Sequence, residues 1–170
     1  MLLGLSLTLT ACSAHKRDLR SKPYVKEVFT MGTYIKITSY DKGHEKDIAA
    51  ALAIAKDYDK KTSVNQSGSE LDEVNDQAGI KPVKVSKSVY KLLKEAYDYS
   101  DEQTGFDMMI GAISSLWHIG FDDARKPSQS EIDQALPLVS HRLIKFDDKK
   151  QTVYITQKGA KIDLGAITKG

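Results

Sequence analysis

The sequence predicts an α+β fold, on three observations. Residues from Tyr24 to Tyr40 alternate and are rich in Val, Tyr, Phe, Thr and Ile, the pattern of paired strands. Asp47 to Lys61 then changes to helical spacing, with Ile48, Leu52, Ala55 and Tyr58 on one face. Later strand and helix signals are interspersed without a regular strand-helix-strand rhythm, which disfavours a doubly wound sheet. At 170 residues, 41% hydrophobic and 28% charged, the chain fits one domain with an ordinary core and is not compositionally disordered.

The elements follow in order. Tyr24 to Tyr40 reads as two strands joined near Met31-Gly32, where glycine frees the backbone. Ser69-Glu70-Leu71-Asp72 is a hydroxyl cap with an acid three residues on, the start of a helix. Val83 to Val85 is a short extended piece, after which Ser86 or Ser88 opens a helix. The apolar face of that helix holds Val89, Leu92, Leu93, Ala96 and Tyr97. Ser128 to Val139 is a further helical stretch, again opened by Ser-x-x-Glu at Ser128 and Glu131. Leu143 to Phe146 and Thr152 to Thr156 form a hairpin around Asp147-Asp148-Lys149-Lys150, and Ala160 to Leu164 is a last strand running into Gly165.

The start of the chain carries its own signal. Met1 to Ala14 has no charged residue and is mostly apolar, yet is shorter than the roughly 20 residues a membrane span requires. It ends in Leu9-Thr10-Ala11-Cys12, which resembles a bacterial lipobox. On that resemblance residues 1–11 are a lipoprotein signal peptide and Cys12 is the lipidation site. The protein is then expected on the extracytoplasmic face of the cell membrane, held by a lipid anchor. A buried structural cysteine is the competing reading, and no Lys or Arg precedes the apolar run, a departure from the usual leader. Residues 12–23 are polar and basic and read as a tether, with the domain proper at 24–170. The 25 basic and 23 acidic residues are spread without a dense Lys/Arg block, so no nucleic-acid partner is expected. A single cysteine leaves no internal disulfide.

Histidines 15, 44, 118 and 141 are scattered without metal-ligand spacing, and no P-loop, GxGxxG or nucleophile elbow is present. Three segments stand out: Met31-Gly32-Thr33; Thr104-Gly105-Phe106-Asp107 followed by Gly111 and Leu116-Trp117-His118-Ile119-Gly120-Phe121; and Ile162-Asp163-Leu164-Gly165-Ala166-Ile167-Thr168-Lys169-Gly170. Each alone is weak. A carboxylate beside a glycine turn is more often a cap than a ligand, and an apolar run around Trp117 is more often core than a cofactor wall.

Together, in this order and separation, with Ser69 to Leu71 and Asn75 between them, they resemble the ApbE family of FAD:protein FMN transferases. The resemblance runs from about Phe29 to Gly170. It implies an ApbE-like (T-fold-like) mixed sheet with packed helices, and transfer of FMN from FAD to a Ser or Thr hydroxyl of an acceptor flavoprotein, with Mg²⁺. It further implies that Met31, Asn65, Gly105, Phe106, Asp107, Asp163 and Lys169 contact FAD, and that the Ala166 carbonyl faces Mg²⁺. Mg²⁺ suits hard oxygens and a diphosphate, and a lysine ammonium offsets phosphate charge.

The chain departs from the family pattern at two places. Asn65 stands where the family often has a Tyr, and an amide cannot stack as a ring does. Phe106-Asp107-Met108-Met109-Ile110-Gly111 keeps the spacing of Phe-Asp-Pro-Thr-Val-Gly without its proline. The catalytic residues are unassigned, because the chain reads as an N-terminal half whose acidic and threonine metal ligands are expected beyond Gly170. On that reading it has little or no transferase activity alone. The alternative readings are a non-catalytic FAD-binding surface lipoprotein and a plain interaction lipoprotein.

Overall fold

The computed structural model describes residues 18–64, 67–101, 103 and 105–169, so Cys12 and Asn65 lie outside it. The α+β architecture matches the sequence expectation. Strands β1 (Leu19–Thr30) and β2 (Thr33–Asp41) form an antiparallel hairpin closed by Met31-Gly32. Helix α1 (Glu45–Thr62) packs on β1, with Ile48 and Leu52 buried and Ala55 and Tyr58 half-buried. β1 starts inside the segment expected to be tether: Leu19 pairs with Asp41, and the Lys42 amide donates to the Asp18 carbonyl. Arg20 is also ion-paired with Glu45, and the register shifts between Leu19 and Tyr24, where Pro23 is tolerated because an irregular strand does not need its missing N–H.

Helix α2 (Glu70–Asp76) opens as its sequence predicts, with the Ser69 hydroxyl accepting from the Asp72 amide at 2.9 Å. β3 (Val83–Lys84) leads into α3 (Lys87–Tyr99), whose Val89, Leu93 and Ala96 are buried. Ser86 occupies the cap position of α3, yet its hydroxyl caps nothing; its own amide donates instead to Glu70 Oε2 at 2.6 Å, joining the starts of α2 and α3. A one-turn helix α4 (Gly111–Ser114) continues as a 3-10 turn, Ser115–Trp117. α5 (Gln129–Ala135) has the full reciprocal box between Ser128 and Glu131. It ends earlier than its periodicity suggests, passing into a 3-10 turn at Leu136–Leu138, because Pro137 lacks the N–H and crowds the preceding turn. β4 (Ile144–Asp147) and β5 (Thr152–Ile155) make the predicted hairpin, and β5 sits between β4 and β3 in a second antiparallel sheet.

One core joins α2, α3, the second sheet and two irregular segments. Leu71, Val89, Leu93, Met108, Met109, Val153, Ala160 and Ile162 are all buried in it. The expected strand Ala160 to Leu164 is not one. Its side chains alternate as a strand's do, with Ala160, Ile162 and Leu164 buried, but its backbone finds other partners. Asn75 donates from Nδ2 to the Ile162 carbonyl (3.0 Å) and accepts from the Ile162 amide (2.7 Å), while the Asp163 amide donates to the Met108 carbonyl. A single parallel bridge ties Lys161 to Ile110. An amide side chain, not a neighbouring strand, satisfies the central peptide.

Two outcomes follow. Asn75→Ala leaves the Ile162 N–H and C=O without partners and should cost about 2 kcal/mol, lowering Tm by roughly 4–8 °C in a thermal melt; an unchanged Tm would refute the clamp. The Arg125 guanidinium and the Ser128 amide and hydroxyl together hold the Glu131 carboxyl down to about 2. A depressed carboxyl stabilises the fold above its ordinary value near 4.5 and loses that contribution as pH falls toward 2. NMR titration of the Glu131 side chain should therefore show a midpoint near 2 rather than near 4.5.

Candidate functional site

A cleft of about 880 Å³ lies between the β1–β2 turn, the α1–α2 connection, α4 with the loop after it, and the Lys161–Lys169 segment. That volume is within the roughly 300–1,000 Å³ typical of small-molecule sites. Three of the residues expected to contact FAD line it: Met31, Asp163 and Lys169. They come from opposite ends of the domain and are brought together only by the fold.

Met31 is held in a left-handed conformation (φ 54°), unusual for a residue with a long side chain. The support is Asp59 on α1, whose Oδ2 accepts from the Met31 amide at 2.9 Å and from the Thr30 hydroxyl at 2.7 Å. Sequence reading passed over Asp59, although the signal was there. It falls on the inward spacing of α1 after Ile48, Leu52 and Ala55, where a carboxylate needs a partner.

Asp163 is half-buried, and both of its oxygens are oriented. Oδ2 accepts from the Ser114 hydroxyl at 2.7 Å and Oδ1 from the Gly165 amide at 2.9 Å. Ser114 carries no sequence signal, because its partner lies 49 residues away. Gly111, at the start of the same short helix, lies against the Lys161–Ile162 backbone: a Cβ there would sit 2.7 Å from the Lys161 carbonyl oxygen. Only glycine allows that approach, which sets α4 close enough for Ser114 to reach Asp163. Beyond Asp163 the chain makes one helical turn, with the Ile167 and Thr168 amides donating to the Leu164 carbonyl. Lys169 is exposed at its end and lines the cleft. Ala166 is exposed in the turn beside the lining residue Gly165 but is not itself a wall of the cleft.

Gly105, Phe106 and Asp107 do not line the cleft. Gly105 and Phe106 form a tight turn closed on Asp101, and Phe106 packs against the core. The Asp107 carboxylate is committed elsewhere: Oδ1 accepts from the Met109 amide (2.8 Å), and Oδ2 accepts from the His141 amide (2.9 Å) and lies 3.0 Å from its Nδ1. This anchors the Met108-Met109 turn, whose carbonyl receives the Asp163 amide. In this structure Asp107 therefore reaches the cleft through Asp163. Trp117 is half-buried and also off the cleft, whereas its neighbours His118, Ile119 and Phe121 line it.

Five aspartates line the cleft, residues 59, 72, 76, 123 and 163, against the two lysines 161 and 169. Among the described residues, no group of three His, Cys, Asp or Glu side chains could hold a metal ion, and no helix is long and apolar enough to cross a membrane.

The chain is 32% identical over 161 residues to the FAD:protein FMN transferase of Treponema pallidum (strain Nichols), covering 89% of this chain and 44% of that protein. It is 30% identical over 152 residues to the FAD:protein FMN transferase of Klebsiella pneumoniae (strain 342), covering 88% of this chain and 48% of that one. The chain thus spans just under half the length of the curated relatives it matches. Its structure superposes on the ApbE protein of Thermotoga maritima with a TM-score of 0.78 and 32% identity, covering 88% of this chain and 49% of that one. The flavin transferase ApbE of Vibrio cholerae shares the fold at a TM-score of 0.72 and 22% identity, covering 87% and 50%. Residues 31–170 match the ApbE family, and the chain belongs to that family.

Proposed function

We propose that this cleft binds FAD and that the chain forms part of an FAD:protein FMN transferase. The observation that carries the reading is the meeting of Met31, Asp163 and Lys169, singled out from two motifs at opposite ends of the domain, on one cleft of ligand size. The cleft suits a dinucleotide, since glycines, hydroxyls, carboxylates and apolar side chains all line it. In the proposed reaction an acceptor Ser or Thr oxygen attacks the flavin-side phosphorus. A new P–O bond forms, the diphosphate bridge breaks, and AMP leaves while the hydroxyl gives up its proton. Lys169 would face phosphate charge, and the fixed Asp163 would orient the ligand beside the Gly165 turn. Gly105, Phe106 and Asp107 would contribute through the Asp163 backbone, and Asn65 enters the proposal on the family resemblance alone.

Mg²⁺ belongs to the same proposal. Five carboxylates against two ammonium groups make the cleft a poor host for a bare diphosphate, and a divalent cation would offset that charge. The proposal takes only the Ala166 carbonyl from this chain as a ligand, since the described residues offer no three-ligand cluster. Non-catalytic FAD binding by a surface lipoprotein is the second reading, favoured by that same missing cluster.

Lys169→Ala should weaken FAD binding about tenfold, read by flavin fluorescence, with an unchanged melt because the side chain is exposed; unaltered affinity would remove Lys169 from the site. Incubated alone with FAD, Mg²⁺ and an acceptor protein, the chain should bind FAD saturably and leave little or no covalent fluorescent FMN on the acceptor. Covalent FMN on the acceptor would overturn both the expectation of an inactive partial enzyme and the non-catalytic lipoprotein reading.

We also propose that Cys12 carries a lipid anchor on the extracytoplasmic face, supported by Leu9-Thr10-Ala11-Cys12 after an uncharged apolar run. Expressed in a bacterial host, the chain should partition into detergent and Cys12→Ser should return it to the aqueous phase. Equal partitioning of both forms would defeat this assignment.

A further inference from the structure

We propose that Phe121 is the platform on which a planar ring of the bound dinucleotide stacks, with His118 and Asp123 as its supports. The inference rests on the reading of the cleft as an FAD site. Ile119 is 78% exposed and Phe121 48% exposed, and both line the cleft. Their loop is nevertheless braced. The Phe121 amide donates to the His118 carbonyl (3.1 Å), the Ala124 amide to the Phe121 carbonyl (3.1 Å) and the Arg125 amide to the Trp117 carbonyl (3.0 Å).

His118 is the hinge of that bracing. It adopts a left-handed φ of 47°, which carries a strain cost for a residue with a Cβ. Its Nδ1 lies 2.8 Å from Asp123 Oδ2, and its ring meets the Phe121 ring at 6.0 Å between centroids and 57° between planes. Asp123 fixes His118, and His118 backs Phe121. Apolar faces held in water by such a scaffold forgo the stabilisation that burial would give them, and a ligand that covers them restores it.

The occupant follows from what shares the cleft. Lys169 and the Gly165 turn offer a cation and backbone, and Ile119 and the Phe121 ring offer apolar surface to the same cleft. FAD divides its chemistry in the same way, with a charged diphosphate between two flat heteroaromatic rings. An aromatic face stacks on such a ring with little regard to its substituents.

The test is FAD titration of the purified chain in the presence of Mg²⁺ by flavin fluorescence anisotropy, with melts recorded for each form. Phe121→Ala should weaken binding about tenfold, equivalent to about 1.4 kcal/mol, and Phe121→Trp should hold it within about twofold. Leu136→Ala, which removes an exposed apolar side chain away from the cleft, should change nothing. Competition with FMN and with ADP then identifies the ring: the competitor that loses affinity in Phe121→Ala carries it. Undiminished binding in Phe121→Ala, equal weakness in Phe121→Trp, or no loss for either competitor overturns the proposal. Failure of the unaltered chain to bind FAD is a different result, which removes the FAD reading itself.

Discussion

The peptide of Ile162 has no strand beside it, and the domain depends on how that is resolved. Asn75 answers both its N–H and its C=O from the end of α2, so one side chain does what a sheet edge would otherwise do. Because Ile162 is anchored, Asp163 is presented at a fixed position, and Ser114 and the Gly165 amide can each reach one of its oxygens. Because the segment lies close to α4, Gly111 cannot carry a side chain. An unmet peptide in that interior would cost more than a typical hydrogen bond contributes, which is why the clamp is a constraint rather than an ornament.

The local part of this fold was legible from the sequence. Caps at Ser69 and Ser128, the turn at Met31-Gly32 and the hairpin around Asp147 are written in residues a few positions apart, and each appeared where its chemistry placed it. Ala160 to Leu164 misled because alternation reports burial, and a segment can bury every second side chain without pairing in a ladder. Ser114 was invisible for a related reason: hydroxyls on short helices are common, and only the fold brings this one to Asp163. Asp107 shows the reverse case. Its prominence in a motif is real, yet its oxygens are occupied by Met109 and His141, so a motif residue serves the cleft here from behind.

The acids of the cleft do structural work before any ligand arrives. Asp59 holds Met31 and Thr30, Asp72 receives the Gly68 amide, Asp123 holds His118, and Asp163 holds Ser114. Carboxylates tied in this way keep their direction without reorganisation, which is what a site needs if binding is not to be spent on ordering its own walls. The negative charge that results is the cost of that rigidity, and it dictates that whatever binds must bring or recruit positive charge.

The Asn75–Ile162 clamp joins residues 87 positions apart, whereas the β1–β2 hairpin closes over the two residues Met31 and Gly32. The entropy lost in joining chain ends rises with the length of the loop, so fixing the segment that carries Asp163 costs more ordering than closing that hairpin. A molecule that spans the cleft from Met31 to Lys169 touches both banks of that long closure. Each bound molecule would then act as a temporary cross-link, and the rigidity of the domain would follow its occupancy.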